Sequence, residues 1–283
     1  EYDSLISTGE DVSSSLLALS LKNKGISARS WRGWQLPVKT DNFHSNAKIN
    51  TIDTNKLIQS FDEGTKVGVV SGFQGISEGD RITTLGRGGS DTSAVAIAAS
   101  INAKRCDIYT DVSGIYTTDP RIKKNASKLK RISFEEMLEM ASLGANVLQT
   151  RAVELAMRNK VPITVLNSFS EEKGTLVCDE EEIMEKNIVS GIAFQKNEAQ
   201  ITLTNIEDKP GVAAKIFGPL ASSGINIDMI VQSNTETGLT NLTFSCPADD
   251  LDLAKKAISK AKDSQLIFYE RLIENKNLAK VSI

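Results

Sequence analysis

Histidine and cysteine are scarce in this sequence. Its 283 residues include one histidine, His44, and three cysteines, Cys106, Cys178 and Cys246, which lie far apart and form no C-x-x-C pair. A single histidine excludes a multi-histidine metal site and argues against Ser-His-Asp chemistry. The cysteine spacing argues against zinc clusters and disulfide frameworks. We therefore expect a reducing location, the cytoplasm.

An excess of positive charge and a long apolar run are also missing. Lys and Arg number 33 and Asp and Glu number 36, which gives a formal net charge of −3. The basic footprint of a nucleic-acid partner is therefore absent. No apolar stretch approaches the roughly 20 residues that span a membrane, and the opening does not resemble a cleavable signal. Hydrophobic residues make up 40% of the chain, so we expect a buried core without nucleic-acid or membrane partners.

The first part of the chain alternates short apolar runs with helical patterns. We predict helices at 12–21, at 91–103, from Ser133 onward and at 147–158, and strands at 66–70, 106–111 and 161–166. The helix from Ser133 begins with a capping box, because Glu136 follows the cap by three residues. Strands that alternate with helices predict an α/β domain with a largely parallel sheet.

The character of the sequence changes after Val177. Charged residues dominate 178–186, which is typical of a solvated linker. Beyond it we predict a strand at 200–204, a turn at 208–211, a helix at 212–222, strands at 225–232 and 240–246, and a helix at 250–262. This β-α-β-β-α order predicts a small module, too small to be a catalytic half.

The two ends of the chain suggest truncation. The sequence opens at Glu1 without an initiator Met. Its end, Leu278–Ile283, shares the pattern Ala-x-Ile/Val-Thr/Ser-Leu/Ile with Glu198–Leu203, 80 residues upstream. A recurrence at this spacing fits a small repeated module. We expect a fragment that stops as a second module begins.

A glycine-rich segment, Thr83–Asp91, directly precedes the predicted helix at 91–103. Its glycines let the backbone approach a ligand closely, and the helix start offers N–H groups to an anion. Arg87 adds a fork suited to a carboxylate or phosphate. The segment is neither a Walker A loop nor a G-x-G-x-x-G fingerprint. The alternative is a tight turn capped by Ser90 or Asp91.

Other polar segments are less specific. Tyr109–Arg121 follows a predicted strand, where α/β proteins place ligand loops, and its aspartates, tyrosines and arginine suit a nucleotide pocket. An ordinary turn-rich loop is the alternative. By itself, Ser7–Glu10 indicates only a helix cap. A single histidine in a polar loop, as His44 is, is more often structural than catalytic.

Five segments stand in the order seen in aspartokinases. They are Ser7–Glu10, Gly72–Gly75, Thr83–Asp91, Tyr116–Arg121 and Phe134–Met137. Over essentially its whole length the chain resembles an aspartate kinase of the amino-acid-kinase family. The resemblance implies a three-layer, mostly parallel α/β kinase domain and then a ferredoxin-like α+β ACT domain, the regulatory module that binds amino acids. The implied boundaries are 1–177 for the kinase domain, 178–188 for an acidic linker, 189–270 for the ACT domain and 271–283 for the start of a second ACT module.

The resemblance also implies a reaction. MgATP and L-aspartate give ADP and 4-phospho-L-aspartate, the first step towards lysine, threonine and methionine. The accepting β-carboxylate is ionised at neutral pH, since its ordinary pKa is about 3.9, so catalysis needs no histidine base. Positioning and charge neutralisation remain as the means of catalysis. Feedback by lysine, threonine or both, and a homo-oligomer formed through ACT domains, follow from the same resemblance.

The resemblance assigns residues to three sites. On the substrate side, Glu10 pairs with the aspartate α-amino group, Arg87 and Ser90 with Gly88 and Gly89 hold carboxylate, and Asp91 acts near the phosphates or magnesium. Arg87 and Asp91 are the expected catalytic pair, and no metal ligand is assigned to the chain. The ATP side comprises Thr110, Asp111, Tyr116, Thr117, Thr118, Asp119, Pro120 and Arg121. The effector site comprises Asp208, Gly211, Ala213, Asn226, Ile227, Asp228 and Gln232.

The sequence departs from the family pattern at two places. The family's Lys-Phe-Gly-Gly motif, whose lysine reaches the phosphates, has no counterpart, so we expect this chain alone to be inactive and its parent active. Asn146 stands where the family often has a nucleotide-contacting lysine.

Two other functions are alternatives to an aspartate kinase. One is a different amino-acid kinase, which the combination of Ser7–Glu10 with an ACT module disfavours. The other is a non-catalytic amino-acid sensor with a degenerate kinase half, which Glu10, Arg87 and Asp111 disfavour.

Overall fold

A computed structural model of the chain describes residues 1–144, 147–182, 191–234 and 238–283. These residues form two compact units, Glu1–Ala193 and Phe194–Ser282. In the described ranges, no helix is both long and apolar enough to cross a bilayer.

The first unit alternates helices and short strands. Its helices are α1 (Tyr2–Ile6), α2 (Thr8–Asn23), α3 (Asn55–Asp62), α4 (Gly89–Ser100), α5 (Phe134–Ser142) and α6 (Thr150–Asn159). Its strands are β1 (Ala28–Trp31), β2 (Val38–Thr40), β3 (Ile49–Ile52), β4 (Val67–Val70), β5 (Gln74–Ile76), β6 (Ile82–Thr84), β7 (Cys106–Thr110), β8 (Arg131–Ser133), β9 (Ile163–Asn167) and β10 (Thr175–Cys178).

Among the described residues of this unit, parallel pairing dominates two of three sheets. Strands β1 and β4 form a parallel pair. In the sheet ordered β7-β9-β10-β8, β7 runs parallel to β9 and β10 parallel to β8, whereas β9 and β10 are antiparallel. The third sheet, ordered β3-β2-β5-β6, is mostly antiparallel. The predicted α/β class is confirmed.

The core of the first unit lies between the β7–β9 sheet and helices α4, α5 and α6. Helix α4 contributes Val95 and Ala98, β7 contributes Ile108, and β9 contributes Ile163 and Val165. The small residues along α4 let it pack closely against both α6 and β7. This packing fixes the start of α4, where the glycine-rich segment lies.

The observed helices agree with the sequence patterns, with shifted ends. The capping box of α5 is confirmed: the Glu136 N–H donates to Ser133 Oγ over 3.1 Å, and Glu136 Oε2 accepts the Ser133 N–H over 2.9 Å. Helix α4 begins at Gly89, so its cap is Gly88 rather than Ser90 or Asp91. Gly88 adopts φ 68°, a left-handed conformation that glycine takes at little cost.

The second unit has the order βαββαβ. Its elements are β11 (Ala193–Glu207), α7 (Val212–Ser222), β12 (Ile230–Asn234), β13 (Leu239–Pro247), α8 (Leu251–Asp263) and β14 (Leu272–Ser282). The strands pair in the order β12-β13-β11-β14. Alternate residues of β11 and β13 face α7 and α8 in one buried cluster, which includes Ile201, Leu203 and Phe244. The expected ferredoxin-like α+β module is confirmed.

Several details of the second unit differ from the sequence patterns. The strand predicted from residue 225 begins only at Ile230, because the Ile225 N–H bonds to the Leu220 carbonyl and closes the end of α7. Cys178 belongs to β10, and most of the predicted acidic linker, residues 183–188, lies outside the described residues. Residues 271–283 contribute β14 to this sheet; the prediction that they start a second module stays a prediction.

Candidate functional site

Glu10 lies in the first turn of α2, just after the corner between α1 and α2. Ser7 occupies the cap position but makes no side-chain cap hydrogen bond, so the simple cap reading of Ser7–Glu10 fails. The junction between α1 and α2 is instead held by hydrogen bonds from Gln74, a buried residue that is only 2% exposed. Gln74 Nε2 donates to the Ser7 carbonyl over 3.3 Å and to Asp11 Oδ1 over 3.1 Å.

The glycine-rich segment is closely packed on the α6 side. A Cβ atom on Gly88 would lie 1.6 Å from Cγ of Gln149, and one on Gly89 would lie 2.8 Å from Cβ of Leu85. Both positions therefore require glycine for packing within the protein. The sequence predicted close approach to a ligand at these glycines, and the neighbour that the structure shows at Gly88 is the side chain of Gln149.

Arg87 and Ser90 remain open to solvent beside these glycines. Within the described part of the chain, no carboxylate forms an ion pair with Arg87. The first N–H groups of α4 lie beside it, because Gly88 is the cap. An exposed guanidinium beside a helix N-terminus is suited to bind a carboxylate.

Unlike Arg87, Asp91 already has a charge-stabilising partner among the residues that the structure describes. Its carboxylate accepts the backbone N–H of Gln149, the residue that caps α6, and its burial raises the pKa of the carboxyl despite that hydrogen bond. In the structure Asp91 thus links the first turn of α4 to the start of α6.

The loop at 71–73 joins the two segments predicted for the substrate side. The Ser71 hydroxyl shares a 2.9 Å hydrogen bond with the hydroxyl of Ser14 in α2. Two residues on, the Phe73 N–H donates to Ser93 Oγ in α4 over 2.9 Å. The helix that carries Glu10 and the helix that follows Arg87 are therefore both tied to one loop.

The residues predicted for the nucleotide side follow the carboxyl end of β7. Thr110 Oγ1 donates to Asp111 Oδ1 over 3.1 Å. Asn167, which pairs with Thr110 at the end of the neighbouring parallel strand β9, donates to Ser113 Oγ over 3.2 Å. The sequence analysis missed Asn167. The signal that points to it is its position at the end of an adjacent parallel strand, where α/β ligand sites occur.

The remaining residues predicted for the nucleotide side lie on the same continuous segment. Tyr116 forms an isolated bridge with Lys128, and Thr117 Oγ1 accepts the Ser127 N–H over 3.1 Å. Asp119 is occupied by Arg121, whose Nη2 donates to Asp119 Oδ2 over 2.9 Å. Hydrogen bonding from Arg121 lowers the pKa of the Asp119 carboxyl. Thr118 is half-buried and Pro120 exposed. Asn146 lies outside the described residues.

The second unit contains a small cavity of about 100 Å³ beside the start of α7. Four of the seven residues predicted for the effector site line it: Asp208, Gly211, Ala213 and Gln232. Gln232 Nε2 donates to Asp208 Oδ1 over 3.3 Å, and Gly211 caps α7 with φ 88°. The cavity therefore combines a carboxylate, an amide and a helix N-terminus.

The other three predicted effector residues, Asn226, Ile227 and Asp228, do not line this cavity. Asp228 instead pairs with Lys280 of β14, and its backbone N–H donates to the Ser245 carbonyl over 3.2 Å. Burial and the nearby Asp228 charge raise the pKa of the Glu198 carboxyl. The structure thus divides the predicted effector residues into two groups.

Two family models match this chain. The amino acid kinase family model matches residues 1–167, and the ACT domain model matches residues 201–263. The first match covers most of the first unit and the second lies within the second unit.

Individual relatives agree with these matches. An aspartate kinase of Pseudomonas fluorescens (strain SBW25) is 48% identical over 284 residues, which cover 100% of this chain and 68% of the relative. The crystal structure of E. coli aspartokinase III in complex with aspartate and ADP, described as the R-state, matches with a TM-score of 0.79 at 30% identity. The T-state of that enzyme, in complex with lysine and aspartate, matches with a TM-score of 0.76 at 30% identity.

Both structural matches cover 99% of this chain and 62% of the E. coli chain. It thus corresponds to somewhat less than two thirds of those solved chains. Sequence identity, both family models and the fold of both units agree. The chain therefore belongs to the amino acid kinase family and, within it, to the aspartate kinases, and its second unit is an ACT domain.

Proposed function

We propose that the protein transfers the γ-phosphate of ATP to the β-carboxylate of L-aspartate and yields 4-phospho-L-aspartate. We place this reaction in the cytoplasm, as the first step towards lysine, threonine and methionine. The likeness to E. coli aspartokinase III in complex with aspartate and ADP, at 30% identity over 99% of this chain, supports the choice of both substrates.

One observation carries the substrate assignment. Glu10 and Arg87 lie on two segments that are tied to the same loop, through Ser14–Ser71 and Phe73–Ser93. An amino acid presents an ammonium and a carboxylate on one carbon. The negative Glu10 suits the ammonium and the positive Arg87 suits a carboxylate. Ser90 and the N–H groups at the start of α4 supply further donors to the same anion.

The nucleotide lies, in this proposal, at the carboxyl ends of β7 and β9. Thr110, Asp111 and Tyr116–Arg121 supply its contacts, and Asn167 holds the loop after β7 through Ser113. Mg²⁺ enters bound to ATP as part of that substrate. Protein sites commonly hold such an ion through the phosphates and one or two carboxylates.

The chemistry requires little of the protein beyond this placement. The aspartate β-carboxylate is ionised at neutral pH because its ordinary pKa is about 3.9. The protein therefore has to align this carboxylate with the γ-phosphate and offset the negative charge of the transferring phosphoryl group. Arg87 and the N-terminus of α4 supply positive charge on the aspartate side.

The cavity of the second unit is proposed as the effector site. Asp208 suits an effector ammonium, and the start of α7 at Gly211 suits its carboxylate. Lysine is the favoured effector, since the T-state of E. coli aspartokinase III was solved with lysine and aspartate. Threonine, and a homo-oligomer formed through ACT domains, remain part of the proposal.

The reaction is tested on the complete protein, expressed from its full reading frame. Purified protein with MgATP, aspartate and hydroxylamine should accumulate aspartyl hydroxamate in step with ADP release. Glutamate replaces aspartate as the control substrate and should give little product. ATP-dependent product with glutamate but not aspartate would show another amino-acid kinase. Amino-acid binding without any ADP release would show a non-catalytic sensor.

A further inference from the structure

Asp3 is a buried carboxylate surrounded by hydrogen-bond donors. It lies in α1, seven residues before Glu10, and is 1% exposed. Its Oδ2 atom accepts the Thr84 N–H over 2.8 Å, the Ser45 N–H over 2.9 Å and a 3.1 Å contact from His44 Nδ1. Its Oδ1 atom accepts the Ser45 hydroxyl over 2.9 Å.

These donors belong to segments that meet at the proposed substrate site. Thr84 ends β6 and precedes Arg87 by three residues. The loop at 43–47 is joined to the same strand, because the Ala47 N–H donates to the Thr84 carbonyl over 2.9 Å. Asp3 therefore connects α1, which leads to Glu10, with the strand that leads to Arg87.

A cation holds the same two segments from α6. Arg151 Nη1 donates to the Leu85 carbonyl and its Nη2 donates to the Ala47 carbonyl, both over 2.9 Å. Asp3 accepts hydrogen bonds from N–H groups of these segments, and Arg151 donates hydrogen bonds to their carbonyl groups. Of the two charged residues, Asp3 is the one on the segment that carries Glu10.

The ionisation state of Asp3 agrees with this arrangement. Burial opposes the charge, yet the donors of Ser45, Thr84 and His44 outweigh burial and lower the pKa of the carboxyl. Asp3 is therefore a carboxylate at neutral pH. Four donors to one charged group form a strong and directional connection.

We propose that Asp3 is a positioning residue for aspartate binding, which sets the placement of Glu10 relative to Arg87. This inference rests on the proposed function, in which these two side chains bind the two charged groups of one amino acid. A displacement of about 1 Å in a group that positions a substrate can cost about a hundredfold in rate. Asp3 itself does not contact substrate.

The principal variant is Asp3→Asn in the complete protein. The amide keeps the volume but turns an NH₂ group towards N–H donors and removes the charge. We expect the KM for aspartate to rise and kcat/KM for aspartate to fall by about ten- to a hundredfold. The KM for ATP should change less than about twofold, because the nucleotide side lies on β7 and β9.

Two milder variants keep the test informative if Asp3→Asn does not fold. His44→Ala and Ser45→Ala each remove one side-chain donor and leave the carboxylate in place, so each should raise the aspartate KM by a smaller factor. Ser60→Ala is the matched control. Ser60 is 2% exposed and donates to the Leu57 carbonyl within α3, so its loss lowers stability without a change in aspartate KM.

The outcomes are distinguishable. An inactive wild-type protein contradicts the proposed function, whatever the variants do. An active wild type with an unchanged aspartate KM in Asp3→Asn, or in both milder variants if that one fails to fold, overturns the role of Asp3 alone. Equal rises in the KM values for aspartate and ATP would show a general structural role and would also overturn it.

Discussion

At the scale of single residues, the charged groups of the proposed active site differ in the partners they already have. Arg87 has no ion-pair partner in the described ranges, Asp91 accepts the Gln149 N–H, and Asp119 is bound by Arg121. A charge that is already paired has less to offer a ligand. Among these residues, Arg87 is therefore the group most available to a substrate.

The replacement Arg87→Ala should raise the aspartate KM and lower kcat in the complete protein. The reason is the loss of hydrogen bonds to a charged group, worth about 1.5–3 kcal/mol, or roughly 10- to 150-fold in kcat/KM. Steady-state kinetics with aspartate varied provides the measurement. Arg105→Ala is the control, because Arg105 is an exposed arginine in a surface pair with Asp107. Equal kinetics for the two variants would remove Arg87 from the site.

Residues that act through tertiary contacts could not be read from the sequence. The glycine-rich segment is visible as a motif, but Gln149, which fills the space beside Gly88, is 61 positions away, counting from 88 to 149. Asn167 likewise becomes relevant only once β9 pairs with β7. The motif shows which positions are glycine. The neighbouring side chain that leaves no room for a larger residue there depends on how α6 packs.

At the scale of secondary-structure elements, α1 depends on its attachment to the rest of the first unit. It has five residues, too few to be stable as an isolated helix. Most of its large side chains are exposed, including Tyr2 and Leu5. The hydrogen bonds of Asp3 are therefore central to holding it in place.

This attachment predicts a pH dependence of stability. The folded pKa of Asp3 is lowered, so its contribution is present above the unfolded value of about 3.9 and is lost as the pH falls through the folded pKa. The wild type should therefore be more stable than Asp3→Asn at pH 7, and the difference should narrow below about pH 4. Urea unfolding of both proteins at pH 7, 5, 4 and 3 measures it. A constant difference across this range would contradict the prediction.

The elements themselves were predictable to different degrees. Helices α2, α4, α5 and α6 and strands β7 and β9 follow from periodicity and from apolar runs. The sheet β3-β2-β5-β6 was missed, because its strands have three or four residues each. Such short segments carry too few side chains to show a period, and their pairing is decided by distant partners.

At the scale of the whole molecule, catalysis and regulation are assigned to different units. The proposed kinase residues lie in Glu1–Ala193 and the proposed effector cavity lies in Phe194–Ser282. An effector that binds better to a less active state lowers activity by shifting the population towards it. Variants in the cavity should therefore change inhibition and leave the uninhibited rate nearly intact.

We expect lysine to inhibit the complete protein and Asp208→Ala to raise the half-inhibitory concentration by about tenfold, as for a lost hydrogen bond to a charged group. Asp249→Ala is the matched control, since Asp249 is exposed and bonds Asn197 away from the cavity. Dose–response curves with lysine and threonine are the measurement. Superimposable curves for Asp208→Ala and wild type would exclude this cavity as the effector site.

Asp228→Ala provides a separate regulatory test. The sequence analysis placed Asp228 in the effector site, whereas the structure pairs it with Lys280. If it binds effector, the effector has to displace Lys280, and Asp228→Ala should relieve inhibition with little change in uninhibited kcat. An unchanged dose–response would restrict effector binding to the cavity group of Asp208 and Gln232.

Strand β14 has a consequence for handling the second unit as a separate piece. It is the neighbour of β11 at one edge of the sheet. The two residues before it bond to Thr204 of β11, whose N–H donates to the Arg271 carbonyl over 3.0 Å and whose carbonyl accepts the Glu270 N–H over 2.9 Å. The ACT family match ends at residue 263, before this strand begins. A fragment cut there would leave the outer edge of β11 without its partner, and an open strand edge promotes pairing with other chains and aggregation. A fragment that extends through Ser282 keeps that edge covered.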